Sequence, residues 1–181
     1  PSSAVITVVV GGLACRAGWP VVQAVCGDHD GTASFHVTDD PHNASVLRPR
    51  QDAQDLLAHG GDVRSYVEVR MVCLDTALAD LAAIDLLKID VQGFERSVLA
   101  GASATLHRTA WVLLEANFVS LYNGDLLLPE LHALMLDAGF TLSNLSPPSV
   151  RHAQAPFAHP PYRPGPATTR PAGPGHEAQT L

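Results

Sequence analysis

LLKIDVQGFE, residues 86–95, decides the fold. Together with Ile84 and Asp85 it opens as a nearly continuous apolar run, the pattern of a strand buried on both faces of a helix-covered parallel sheet. Gln92-Gly93 breaks the run, and beyond it Val98, Leu99, Ala102 and Leu106 recur at helical spacing, which predicts one helix over residues 95–106. Downstream, residues 110–116 read as a second buried strand. Residues 128–137 read as a helix opened by Pro129 and stopped by Gly139, and residues 140–145 as a third strand. Strand, helix, strand, helix, strand within about 60 residues is the signature of an α/β doubly wound sheet.

Upstream the elements are shorter. Residues 4–10 form a β-branched run ending at Gly11-Gly12, which reads as a buried strand entering a turn. Residues 21–26 and the alternating stretch 32–38 flank Gly27-Asp28-His29-Asp30-Gly31, which predicts a β-hairpin turning at 28–31. Residues 39–62 are polar, contain Pro41, Pro49 and Gly60-Gly61, and read as a mobile loop with at most a short helix near 52–59. Residues 66–72 alternate again, and Asp75 is placed to cap a short helix after them. From residue 146 to 181 the composition changes: nine of the fourteen prolines fall there with few residues able to form a core. The expected organisation is thus a domain over 1–145 and a disordered proline-rich tail over 146–181.

Composition excludes several functions. A net charge of -7, with only eleven Lys and Arg residues, opposes binding to nucleic acid. No apolar run approaches the roughly 20 residues of a spanning helix. Cys15, Cys26 and Cys73 are odd in number and without CxxC spacing, so they suggest neither disulfide framework nor zinc site, and a reducing, cytoplasmic setting fits them. The nine histidines include no HxH or HExxH arrangement, and no metal site is read from them.

The chemistry-bearing residues gather at one place in the pattern. Asp90 ends the central strand, where open α/β sheets bind ligands, and Gly93 permits a tight turn that would bring Glu95 back over it. Lys88 shares the strand face of Asp90. Glu115 and Asn117 occupy the matching end of the next strand. Each has a structural reading too: an aspartate there can cap a helix, a first-turn glutamate suits the helix dipole, and Lys88 can serve only to neutralise Asp90.

LLKIDVQGFERSVLAGA, then a strand ending in Glu115, then a helix and Gly139-Phe140, resembles the C-terminal half of the FkbM-type methyltransferases. VCGDHDGTASFHV (25–37), Ser45-Val46-Leu47 and VEVRMVCLDTALADL (67–81) follow the same order, so the resemblance covers residues 21–145. It implies a class I methyltransferase-like, Rossmann-like fold and transfer of a methyl group from S-adenosylmethionine to a hydroxyl of a small molecule or sugar. By match to the motif, Asp90, Glu95 and Glu115 are the catalytic candidates. Gly27 and Asp28 are the cofactor-binding candidates, with Asp28 facing the adenine side.

The front of the chain departs from that family. Its glycine-rich loop, of the form Val-Asp-x-Gly-Ala-Asn, is matched only by Val10-Gly11-Gly12, and eight residues between Gly12 and Val21 are too few for the missing strand and helices. With Pro1 in first place, an N-terminally incomplete domain is expected, its central strand left as an exposed edge open to self-association. The rival reading is a non-catalytic remnant or interaction module. An unrelated nucleotide-binding domain is disfavoured by the lack of a P-loop or GxGxxG.

Overall fold

The computed structural model describes residues 4–9, 21–146, 152–158 and 178–180. Its larger sheet has six strands, in the spatial order β7 (Thr141–Leu142), β8 (His152–Ala158), β6 (Thr109–Asn117), β5 (Ile84–Asp90), β1 (Val5–Val9) and β9 (Ala178–Thr180). At its centre β5 (Ile84–Asp90) runs parallel to β6 (Thr109–Asn117) on one side and to β1 (Val5–Val9) on the other. The edge expected to be exposed is therefore paired: Val5 to Val9 lie in register with Leu86 to Asp90, in the position assigned from sequence to an absent strand. Gly11 and Gly12 lie outside the described residues.

Burial on β5 is one-sided, which corrects the expectation of a strand covered on both faces. Leu87 and Ile89 are fully buried and join Ile6, Val8, Val112 and Leu114 in one core. Helices α2 (Glu95–Ala100), α3 (Ser103–His107) and α4 (Leu128–Asp137) contribute Val98, Leu99, Leu106, Leu131 and Met135 to that same core. The opposite face, with Thr7, Leu86, Lys88, Asp90, Trp111 and Leu113, is only half-buried. Polar groups on it can keep contact with water.

The helix read over 95–106 is two helices. Gly101 ends α2, where an added Cβ would come within 2.0 Å of the Gly27 carbonyl oxygen, so two backbones meet with no room for a side chain. A new start then follows, capped from a distance. Asp75, in α1 (Leu74–Ala77), accepts from the N–H groups of Ala104 (3.0 Å) and Thr105 (2.7 Å), and so caps α3 rather than its own helix. Helix α4 has its expected bounds, and Gly139 (φ +88°) ends it in the left-handed conformation, with Phe140 N–H donating to Met135 O.

A second sheet has the order β2 (Val25–Cys26), β4 (Val63–Val72), β3 (Gly31–Thr38). Strand β2 (Val25–Cys26) and strand β3 (Gly31–Thr38) do not pair as a hairpin; each pairs with β4 (Val63–Val72), parallel and antiparallel respectively. The turn residues between them are used otherwise, Asp30 accepting from the Cys73 N–H at 2.8 Å. Residues 39–62 also differ from the mobile loop expected. Short 3-10 turns at Pro41–Asn43 and Gln51–Ala53 carry Ala53 and Leu57 into a small second core with Leu121 and Tyr122.

The tail contributes to the main sheet. Strand β8 (His152–Ala158) inserts antiparallel between β6 and β7 (Thr141–Leu142), while β9 (Ala178–Thr180) pairs with β1. Ala155 and Phe157 are fully buried, and the Pro156 carbonyl accepts from Ser143 N–H at 2.9 Å. Proline count concealed this strand because a proline removes one donor and leaves the period-2 side-chain pattern intact. Residues 147–151, 159–177 and 181 of the tail lie outside the described set.

Two substitutions test this packing by urea denaturation. Phe157→Ala should lose about 3–5 kcal/mol of stability, a core value that a disordered tail would not give. Gly101→Ala should lose about 1–3 kcal/mol by overpacking against Gly27, whereas Gly31→Ala, whose new Cβ meets nothing closer than 3.5 Å, should change stability far less.

Candidate active site

Beyond Asp90 the chain turns through two residues in left-handed conformations, Gln92 (φ +52°) and Gly93 (φ +91°). A Cβ on Gly93 would sit 3.0 Å from both Asp125 Cβ and Tyr122 Cδ2, so glycine is required by space as well as by torsion. Glu95 holds the turn shut. Its Oε1 accepts from the N–H groups of Gly93 (3.3 Å) and Val91 (3.4 Å), and the residue is only 2% exposed. Burial pushes its carboxyl up to about 7, against the pull of those backbone donors.

Glu95 therefore faces the backbone of the turn, and the carboxyl that meets Asp90 is Glu115. The parallel register that pairs Lys88 with Leu113 and Ile89 with Leu114 sets Asp90 and Glu115 side by side as its next step. Gln92 Nε2 donates to both, at 3.1 Å to Asp90 Oδ1 and 3.0 Å to Glu115 Oε2. Lys88 Nζ donates to Asp90 Oδ2 at 3.0 Å.

The two acids are pushed apart in acidity. Burial acts to raise Asp90, but hydrogen bonds from Glu115 and Lys88, the Lys88 charge and the Gln92 amide outweigh it and hold Asp90 below its usual value. Glu115 is raised well above the carboxyl range, first by burial and then by the hydrogen bond and charge of Asp90. These opposite shifts favour the proton on Glu115 and the negative charge on Asp90. Asp90 keeps about a quarter of its side chain exposed, so the ionised member is the one that a solute can reach.

The other sequence candidates are placed as follows. Asn117 is buried at the end of β6, bridged through its backbone to Leu127. Gly27 is enclosed rather than open, since a Cβ there would strike Met71 Sδ at 2.4 Å and lie 3.4 Å from Phe94. That contact sets Gly27 against the residue between Gly93 and Glu95. Asp28 is exposed, and its carboxylate is held below its usual value by the hydrogen bond from His29 (2.8 Å).

Four contributors escaped the sequence reading. Gln92 was read only as a strand breaker. Ser45 donates to the Gln92 carbonyl at 2.8 Å, and the Tyr122 hydroxyl contacts Gln92 Oε1 at 3.3 Å and Asn43 O at 3.1 Å. Asp125 fixes the Tyr122 loop by accepting from Ser120 Oγ and the N–H groups of Leu121 and Tyr122. The one local signal was the Tyr122-Asn-Gly-Asp125 turn; the contacts themselves span up to 79 residues.

Residues 12–142 match the methyltransferase FkbM domain model. The chain belongs to the FkbM methyltransferase domain family. The 2-O-methyltransferase NoeI of Sinorhizobium fredii is 29% identical over 111 residues, which are 58% of this chain and 46% of that protein. The chain thus spans less than half the length of this curated relative. Among solved structures, magnesium protoporphyrin IX methyltransferase from Synechocystis with bound SAM is 18% identical over 60% of this chain and 51% of that one, at a TM-score of 0.35. The same enzyme with bound SAH gives 16% identity and 0.34, over 60% and 56%.

The FkbM family takes S-adenosylmethionine as its methyl donor. Asp90, at the sheet end, keeps part of its carboxyl reachable from solvent. Gly27 offers no open cradle, and Gly11-Gly12 lie outside the described residues. Among the described residues no three His, Cys, Asp or Glu side chains gather as metal ligands, and no helix is long and apolar enough to cross a membrane.

Glu95 makes stability pH-dependent. Its folded value is raised above its unfolded one, so its contribution is complete below about 4.5 and is lost as pH rises through about 7. Glu95→Gln keeps the acceptor for Val91 and Gly93 without the charge. Urea titrations should show the variant declining less than the wild type between pH 5 and 8, by at most on the order of 3 kcal/mol. Equal declines would place Glu95 outside the buried turn.

Proposed function

We propose that this chain carries methyl transfer from S-adenosylmethionine to a hydroxyl oxygen of a small-molecule or sugar acceptor, with Asp90 receiving the hydroxyl proton. The observation that supports it is the carboxyl pair at the ends of β5 and β6: a reachable Asp90, bonded by Lys88 and Gln92, held against a buried Glu115. The family membership and the printed activity of NoeI, an O-methyltransferase, agree with an oxygen acceptor.

When bound, S-adenosylmethionine supplies an electrophilic methyl group. The chain's own residues have three tasks. Asp90 accepts a hydrogen bond from the acceptor hydroxyl, orients its oxygen and takes its proton as the new bond forms. Glu115 keeps a second negative charge out of the site and donates to Asp90, while Lys88 balances the charge that remains. Glu95 sustains the turn that aims the strand end, a supporting role in place of direct contact with the acceptor. Cys26 and Cys73 stand as free thiols, in keeping with a reducing, cytoplasmic compartment.

Asp90→Asn should lower kcat by about 10²–10⁴ while changing S-adenosylmethionine affinity by only a few fold, measured by labelled-methyl transfer to a panel of sugars and by calorimetry. In the wild type, kcat/KM should fall on the acid side only below the usual aspartate range, and on the alkaline side as Glu115 ionises near pH 9. Full turnover by the Asp90 variant would remove the proton-accepting role.

A further inference from the structure

We infer that Gln92 is a positioning residue whose side-chain amide fixes the geometry of the Asp90–Glu115 pair, and that Tyr122, at the amide oxygen, and Ser45, at the backbone carbonyl, tie Gln92 to the lobe formed by residues 43–57. The inference rests on the proposed reading of Asp90 as proton acceptor.

Its support is the complete use of one amide. A glutamine side chain has two N–H donors and a carbonyl acceptor. Here both donors serve carboxyl oxygens, at 3.1 Å on Asp90 and 3.0 Å on Glu115, and the carbonyl oxygen faces the Tyr122 hydroxyl at 3.3 Å. The reverse amide orientation would set an oxygen against two carboxyl groups, so the network itself assigns the nitrogen. Because Gln92 occupies Asp90 Oδ1 and Lys88 occupies Oδ2, the oxygens left to the pair's shared proton are restricted. Gln92 also holds an unusual backbone for a long side chain, φ +52°, with its own carbonyl fixed by Ser45 Oγ at 2.8 Å. Ser45 and Tyr122 are fully buried, and Tyr122 packs with Ala53 and Leu57. The charged groups around the pair are Lys88 on β5, Glu95 at the start of α2, and Asp125 beside Gly93.

A glutamate would fill the same space but place a third acceptor against two carboxyl groups. Packing and hydrogen bonding thereby make opposite forecasts for Gln92→Glu. The experiment uses the full chain carrying Gln92→Glu, Gln92→Leu and Tyr122→Phe, with ¹³C-carboxyl NMR titration of Asp90 and Glu115, thermal melting, and methyl transfer from labelled S-adenosylmethionine. Folded Gln92→Glu and Gln92→Leu should each shift the Asp90 titration upward and lower kcat roughly 10-fold or more, with KM for S-adenosylmethionine within a few fold. Tyr122→Phe should shift it in the same direction by less, which keeps the test open if a Gln92 variant fails to fold. A folded Gln92→Glu protein with wild-type Asp90 and Glu115 titrations would overturn the inference. Failure of the proposed function is seen separately, as a wild-type chain that transfers no methyl group while the titration shifts still occur.

Discussion

The turn after β5 has to leave a central strand, pass through two left-handed residues and enter a helix within five positions. Such a backbone costs free energy at Gln92, because only glycine and short polar residues visit that region readily. The compensation lies in Glu95, whose carboxyl collects two N–H groups that a left-handed turn would leave buried without partners. Helix α2, the closure of Tyr122 over Gly93 and the aim of the Gln92 side chain all depend on this one reversal.

One-sided burial explains why the site can exist beside so much apolar packing. The helices cover the face that carries Leu87 and Ile89, so the alternate residues Lys88 and Asp90 emerge on the half-open face. Two adjacent parallel strands in register then bring Asp90 and Glu115 together. Two ionised carboxylates in that setting would repel and be poorly hydrated, and one shared proton resolves both problems at once. Burial of Glu115, together with the lysine and the hydrogen bonds at Asp90, favours the proton on Glu115. An acid pair of this kind follows from strand register, and its polarity from unequal surroundings.

Legibility in the sequence followed the range of the interactions. The strands over 84–90 and 109–117, helix α4 and the stop at Gly139 were readable because period, cap and breaker are local. Asp90 and Glu115 could be placed from the same pattern, since both end a strand. The partner of Asp90 could not: a turn that folds Glu95 inward or outward has the same sequence spacing, and only the burial of the turn decides between them. The split of α2 from α3 was hidden because its cause, the Gly27 carbonyl against Gly101, lies 74 residues away in sequence. Likewise β2 and β3 looked like a hairpin until β4, distant in sequence, came between them. Proline content obscured β8 because composition counts residues and ignores the alternation that buries Ala155 and Phe157.

Strand β8 separates what makes the site from what keeps it in place. The family match ends at residue 142, and every side chain in the polar cluster lies within it. Strand β8 lies beyond that match, yet it pairs along β6 from Trp111 to Asn117, including the position of Glu115. Without it, β6 would present an unpaired edge at the strand that carries half of the acid pair, and water could reach Glu115 from the side. Wetter surroundings would lower the cost of ionising Glu115 and weaken the asymmetry that leaves the charge on Asp90. The chemistry thus belongs to the family segment, while the acidity that tunes it draws on a strand outside that segment.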